Sequence, residues 1–136
     1  MDDWPELPPE IPRPVSDAAT LTLFLAGYAA FVSVLLCLAG SFTGPHVLIP
    51  GLVHAVLAAV LFCSWRGLRD RRLWARKLLI VLSAFGSAAL LVLIVGSAIA
   101  GEFSLGGAIF YGVISLFFAL ITWSLMTRSS RVWFKT

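Results

Sequence analysis

An all-α membrane protein, folded as an antiparallel four-helix transmembrane bundle, is predicted by two observations on this chain. The first is a set of four long apolar runs, at 19–40, 47–65, 78–100 and 107–127. Each approaches the ~20 residues that a helix rising 1.5 Å per residue needs to cross ~30 Å of hydrocarbon. The second is charge placement: nine of the ten basic residues fall within 66–77 and 128–135, at the flanks of those runs. Composition agrees. With 60 % hydrophobic and 12 % charged residues, the chain lies far from soluble domains, where charge runs near ~25 % and polar residues cover the surface. The spans use most of the 136 residues and leave no room for an extramembrane domain.

In chain order, residues 1–15 form a proline-rich acidic segment with Pro5, Pro8, Pro9, Pro12, Pro14 and Trp4. It has too little apolar area to fold alone and is expected to be a disordered, extended tail. Because this leader is acidic and the run after it is long, the first span reads as retained and not as a secretory signal. Ser16 and Asp17 offer N-caps for it. Gly44-Pro45 marks the turn to span two, and Pro50 is expected in that helix's first turn, where its missing N–H is tolerated. Span two should end at Trp65, before a loop of six cations and one acid, Asp70. Span three should stop before Gly101-Glu102, and Gly106-Gly107 should open span four. Residues 128–136 read as a basic and aromatic interfacial tail.

Orientation follows from counting. The connections 41–46 and 101–106 hold no Lys or Arg, whereas the middle loop and C-terminal tail hold nine. Positive-inside sorting puts that loop and both termini in the cytoplasm. Trp65, Trp74, Trp123 and Trp133 fall near the same face as expected interfacial anchors.

Helices in lipid approach closely along small residues. Span one offers Ala26, Ala30, Ser33, Cys37 and Gly40; span two offers Gly51, His54 and Ala58; span four offers Ala108, Gly112, Ser115, Ala119 and Thr122. These 3.5-residue periods predict a left-handed seam. Span three is less regular, with Ser83, Ser87 and Ser97 on one side.

His54 is the one intramembrane residue of a type that can titrate near neutral pH, and such residues are functional hypotheses by default. Depth counting brings Ser33 and Ser115 to its level, with Tyr111 one turn away. Two readings stand: a functional Ser33–His54–Ser115 cluster with Tyr111 beside it, or a neutral histidine satisfied by those hydroxyls and by backbone carbonyls. No catalytic residues, metal site or cofactor are expected. His46 lies too far out to share a site with His54, no Cys/His spacing fits a ligand set, and no acid is embedded in a span. A haem held by one His54 from each of two copies stays as an outlying alternative. Cys37 and Cys63 sit near opposite ends of antiparallel spans, beyond the ~7 Å reach of a disulfide. The cations Arg66, Arg69, Arg71, Arg72, Arg76, Lys77, Arg128, Arg131 and Lys135 are candidates for contact with anionic lipid or a partner. Topology alone also accounts for them, and no nucleic-acid role is implied.

Pro12-Arg13-Pro14-Val15, Gly67-Leu68 with Arg72-Leu73-Trp74-Ala75-Arg76, and Ser130-Arg131-Val132-Trp133-Phe134 resemble segments of small four-span integral membrane proteins of actinobacteria, of unknown function. The resemblance implies a bacterial plasma membrane with cytoplasmic termini, and it carries over no functional residue. The expected function is that of a non-enzymatic accessory membrane protein, acting by association with a partner membrane complex or with lipid. The alternative is a subunit of a small homo-oligomeric transporter or channel that uses the polar cluster around His54.

Overall fold

In the computed structural model, which describes residues 10–102 and 104–135, each apolar run is a helix. They are α1 (Arg13–Thr43), α2 (Pro45–Arg69), α3 (Leu73–Ile99) and α4 (Leu105–Met126), followed by a short α5 (Arg128–Trp133). The first four are long and apolar enough to cross a membrane, so this is a multi-pass, all-helical membrane protein. The described residues contain no strand.

The helices overrun their apolar cores. Pro5, Pro8 and Pro9 of the expected tail lie outside the described residues, but its last three residues, Arg13 to Val15, are already helical. Pro12 is the N-cap, where Ser16 and Asp17 were expected. Pro14 fits because a first-turn N–H has no intrahelical acceptor to lose. With 31 residues, α1 is about 46 Å long, well beyond ~30 Å of hydrocarbon, so its ends must stand in the polar boundaries. Pro50 lies inside α2 rather than in its opening turn, because that helix begins at Pro45.

Gly44 alone joins α1 to α2. Its N–H closes α1 on the Gly40 carbonyl at 2.9 Å, and its φ of 113° takes a conformation that a side chain would resist. A Cβ on Gly40 would stand 2.7 Å from the Leu48 nitrogen, so the two backbones touch there.

The α2–α3 connection closes on a helix-ending motif of two hydrogen bonds. Arg72 N–H donates to the Gly67 carbonyl at 2.8 Å, and Arg71 N–H donates to the Leu68 carbonyl at 3.2 Å. Glycine normally fills the left-handed position of this motif, but here Arg71 holds it at φ 55°. Its guanidinium sits 3.8 Å from the centre of the Trp133 ring. Both Arg71→Ala and Arg71→Gly lose that contact, but glycine also relieves the backbone. The Gly variant is therefore expected to be more stable than the Ala variant by about 1 kcal/mol, measurable by unfolding in mixed micelles. Equal stabilities would mean that Arg71 is unstrained.

The α1/α2 and α3/α4 hairpins pack lengthwise, and α1–α4 and α2–α3 contacts close the ring. The α1 seam runs through Val15, Ala18, Thr22, Leu25 and Ala29, all buried at three- and four-residue steps, and continues to Ser33 and Gly40. Ala30, expected in this seam, is exposed because Ala29 takes the inward position. Between α3 and α4 the contact is hydroxylic, with Ser83 to Thr122 at 2.7 Å and Ser87 to Ser115 at 3.0 Å.

Packing is lopsided along the bundle axis. The buried residues of α3 are Ala75, Leu79 and Ser83, all toward the basic loop. Apart from Gly51, those of α2 are Leu61, Ser64, Gly67 and Leu68, at the same end. A Cβ on Gly67 would lie 2.6 Å from that of Ala75, so α2 and α3 are pinched together beside their connection. Away from it they part. The core cluster also includes Trp133 and Phe134 of the C-terminal segment, packed with Val15 and Ala18 at the basic end.

Candidate functional site

Where α2 and α3 part, the four long helices border an open crevice of about 520 Å³. From α2 it takes Val53, His54, Leu57 and Leu61; from α3 it takes Phe85, Gly86, Ala89 and Leu90 among others. Leu25, Tyr28 and Ala29 of α1 and Phe110, Tyr111, Ile114 and Phe118 of α4 form the back wall. Gly86 keeps α3 close to α4: a Cβ there would already touch the Phe118 ring at 3.4 Å. The lining is apolar except for one imidazole and two phenols. Tyr28 and Tyr111 are joined through Phe110, with ring centres 5.9 and 5.6 Å apart.

His54 is half-buried, and its Nδ1 lies 2.8 Å from the Pro50 carbonyl oxygen, one turn earlier. A carbonyl only accepts, so Nδ1 carries the proton, and a neutral ring is left with Nε2 as an acceptor. Nε2 has no hydrogen-bond partner among the described residues.

The expected Ser33–His54–Ser115 cluster is not assembled, although all three residues lie in the bundle. Ser33 donates to the Gly51 carbonyl at 2.8 Å, fastening α1 to α2. Ser115 pairs with Ser87 and fastens α4 to α3. Depth counting had matched their levels, but helix rotation turned the two hydroxyls into their own hairpin interfaces. Tyr111 does share the crevice with His54. Tyr28, not among the expected residues, lines the crevice too, and its signal in the sequence is that it and Tyr111 are the chain's two tyrosines, both inside apolar runs. Cys37 and Cys63 are free thiols on α1 and α2.

The basic end is a second candidate surface, and several of its cations already have internal work. Arg71 stacks on Trp133, Arg76 donates through Nε to the Leu125 carbonyl at 3.1 Å, and Arg131 donates to the Met126 carbonyl at 3.2 Å. The last two cap carbonyls at the C-terminal end of α4, where a helix attracts positive charge. Arg69 lies over Trp65, 5.4 Å from the ring centre. Arg66, Arg72, Lys77, Arg128 and Lys135 stand exposed. Trp133 is buried rather than an interfacial anchor, because α5 folds back onto the loop; Trp74 and Trp123 are exposed, as anchors must be. Among the described residues no group of three His, Cys, Asp or Glu is placed to hold a metal ion.

No protein-family model, curated protein or solved structure matches this chain.

Proposed function

We propose that this chain is a non-enzymatic accessory protein of the bacterial plasma membrane that acts by association, its basic end facing the cytoplasm. The observation that carries this reading is a shallow apolar groove on the outward side of α3, formed by Leu91, Val92, Val95, Gly96 and Ile99. A Cβ on Gly96 would meet nothing within 4 Å. Gly96 stands in the last turn of α3, and no packing among the described residues calls for a glycine there. In a membrane, such a glycine suits close approach by another transmembrane helix. At the other end Arg66, Arg72, Lys77, Arg128 and Lys135 stand free to meet anionic head groups, each worth ~1 kcal/mol near the surface.

A photo-crosslinking residue at Val95 is expected to give one discrete protein adduct in native membranes, and one at Trp123 none. Gly96→Leu should abolish the adduct yet leave the stability of the purified chain within about 0.5 kcal/mol, since the site is empty of neighbours. Adducts of equal strength at both positions would sink the reading. An adduct with a second copy would shift weight to the oligomeric alternative.

That alternative, a transporter or channel subunit organised on His54, draws on one observation: His54 and Tyr111 line a common crevice. The apolar walls favour a lipophilic passenger over a hydrated ion, because apolar cavities stay dry.

A further inference from the structure

The crevice shares no lining residue with the α3 groove. Its volume of about 520 Å³ lies within the ~300–1,000 Å³ of pockets that hold one small ligand. A helix ~10 Å across fills roughly 420 Å³ with each 5.4 Å turn, so the crevice has room for little more than one turn of a transmembrane helix. Water is disfavoured by walls that offer three polar side chains, His54, Tyr28 and Tyr111, among aliphatic and aromatic ones. No Arg or Lys lines the crevice, so a phosphate or carboxylate head would be buried without a counter-charge, at high cost in this medium.

What remains is a neutral apolar chain with a small polar head, and the histidine specifies the head. Nε2 of a ring protonated on Nδ1 is satisfied only by a donor, whereas the phenols of Tyr28 and Tyr111 donate or accept as required. A hydroxyl meets both demands at once: it donates to the imidazole and accepts from a phenol. Toward the basic end, Leu57, Leu61, Phe85 and Phe118 offer aliphatic and aromatic surface for the chain. We propose that this crevice binds a single molecule of a neutral long-chain lipid alcohol, its hydroxyl on His54 Nε2 and its chain between α2 and α3.

The test uses the full chain in phospholipid nanodiscs with hexadecanol carrying a diazirine near the chain end as the probe. Photolysis followed by peptide mapping is expected to show saturable labelling of the α2 and α3 peptides that line the crevice. Unlabelled hexadecanol should compete at least about tenfold better than hexadecane, the scale of one hydrogen bond whose loss leaves a buried acceptor unsatisfied. His54→Ala should keep the labelling and lose that preference. Ala89→Trp, at an exposed lining position, should fill the crevice and remove the labelling. Unsaturable labelling spread over lipid-facing residues such as Phe31, Val92 and Trp123, or equal competition by the two competitors, overturns the proposal. Both of these readouts come from the unmutated chain and need no variant to fold.

Discussion

Gly40→Val is expected to cost about 3 kcal/mol, the upper end of what forced overpacking costs. The reason is that its new Cβ meets backbone, not a side chain that can swing away. It would stand 2.7 Å from the Leu48 nitrogen and 2.8 Å from the Leu48 Cα. Relief requires moving the first turn of α2, and with it the Ser33 bond to the Gly51 carbonyl. A Cβ on Gly51 would likewise lie 2.8 Å from the Cys37 sulfur, so no slack exists one turn further along. Gly27→Val is the matched control: a Cβ there meets nothing within 4 Å, and its effect should stay within about 0.5 kcal/mol. Equilibrium unfolding of both variants in mixed micelles makes the comparison. Similar losses would show that the damage comes from replacing glycine in an apolar helix and not from the contact between α1 and α2.

Trp133→Ala is expected to release the C-terminal segment while the four long helices stay assembled. The indole is 7 % exposed, packs within the core cluster at the basic end, and carries the Arg71 guanidinium on its face. Truncating a buried tryptophan typically costs about 3–5 kcal/mol, and a well-placed cation over its ring adds up to about 2. Local undocking caps the loss, because α5 is only six residues long and its release exposes little else. Amide exchange in 128–135 should therefore quicken by at least about a hundredfold, the equivalent of ~3 kcal/mol. Exchange in α1 and α2 should change little. Unaltered exchange in α5 would mean that its own caps hold it, namely Thr127 Oγ1 accepting from the Ser130 N–H and Ser130 Oγ donating to the Ser124 carbonyl.

The two predictions probe opposite ends of the bundle, and the contrast bears on function. The α1–α2 contact at Gly40 and Gly51 is the tight part of the far end, whereas the α2–α3 pinch at Gly67 lies beside the basic loop. Between them the helices leave the crevice at His54. Tight contacts at both ends with an apolar crevice between them fit the proposed binding of a molecule within the bilayer.

The number of helices, their class and the clustering of cations could be read from the chain because they rest on one-dimensional quantities. A run of ~20 apolar residues crosses the hydrocarbon whatever its neighbours are, since any other placement leaves backbone polar groups unsatisfied. The turn at Gly44 and the stop at Gly101 were legible for a similar reason: both glycines take positive φ. Partner choice was not legible. Counting along the spans puts Ser33, His54 and Ser115 at nearly one depth, yet two of them turn into separate hairpins, and the third faces a crevice shared with Tyr28, which that count does not single out. Nor did the tail's basic and aromatic composition reveal that Trp133 is core and that Arg71 accepts a left-handed backbone beneath it. Depth in a membrane is set by the rise per residue, which the sequence encodes directly. Facing is set by the rotation of each helix about its axis, which is fixed only when close contacts such as Gly40 on Leu48 and Gly67 on Ala75 compete across the bundle.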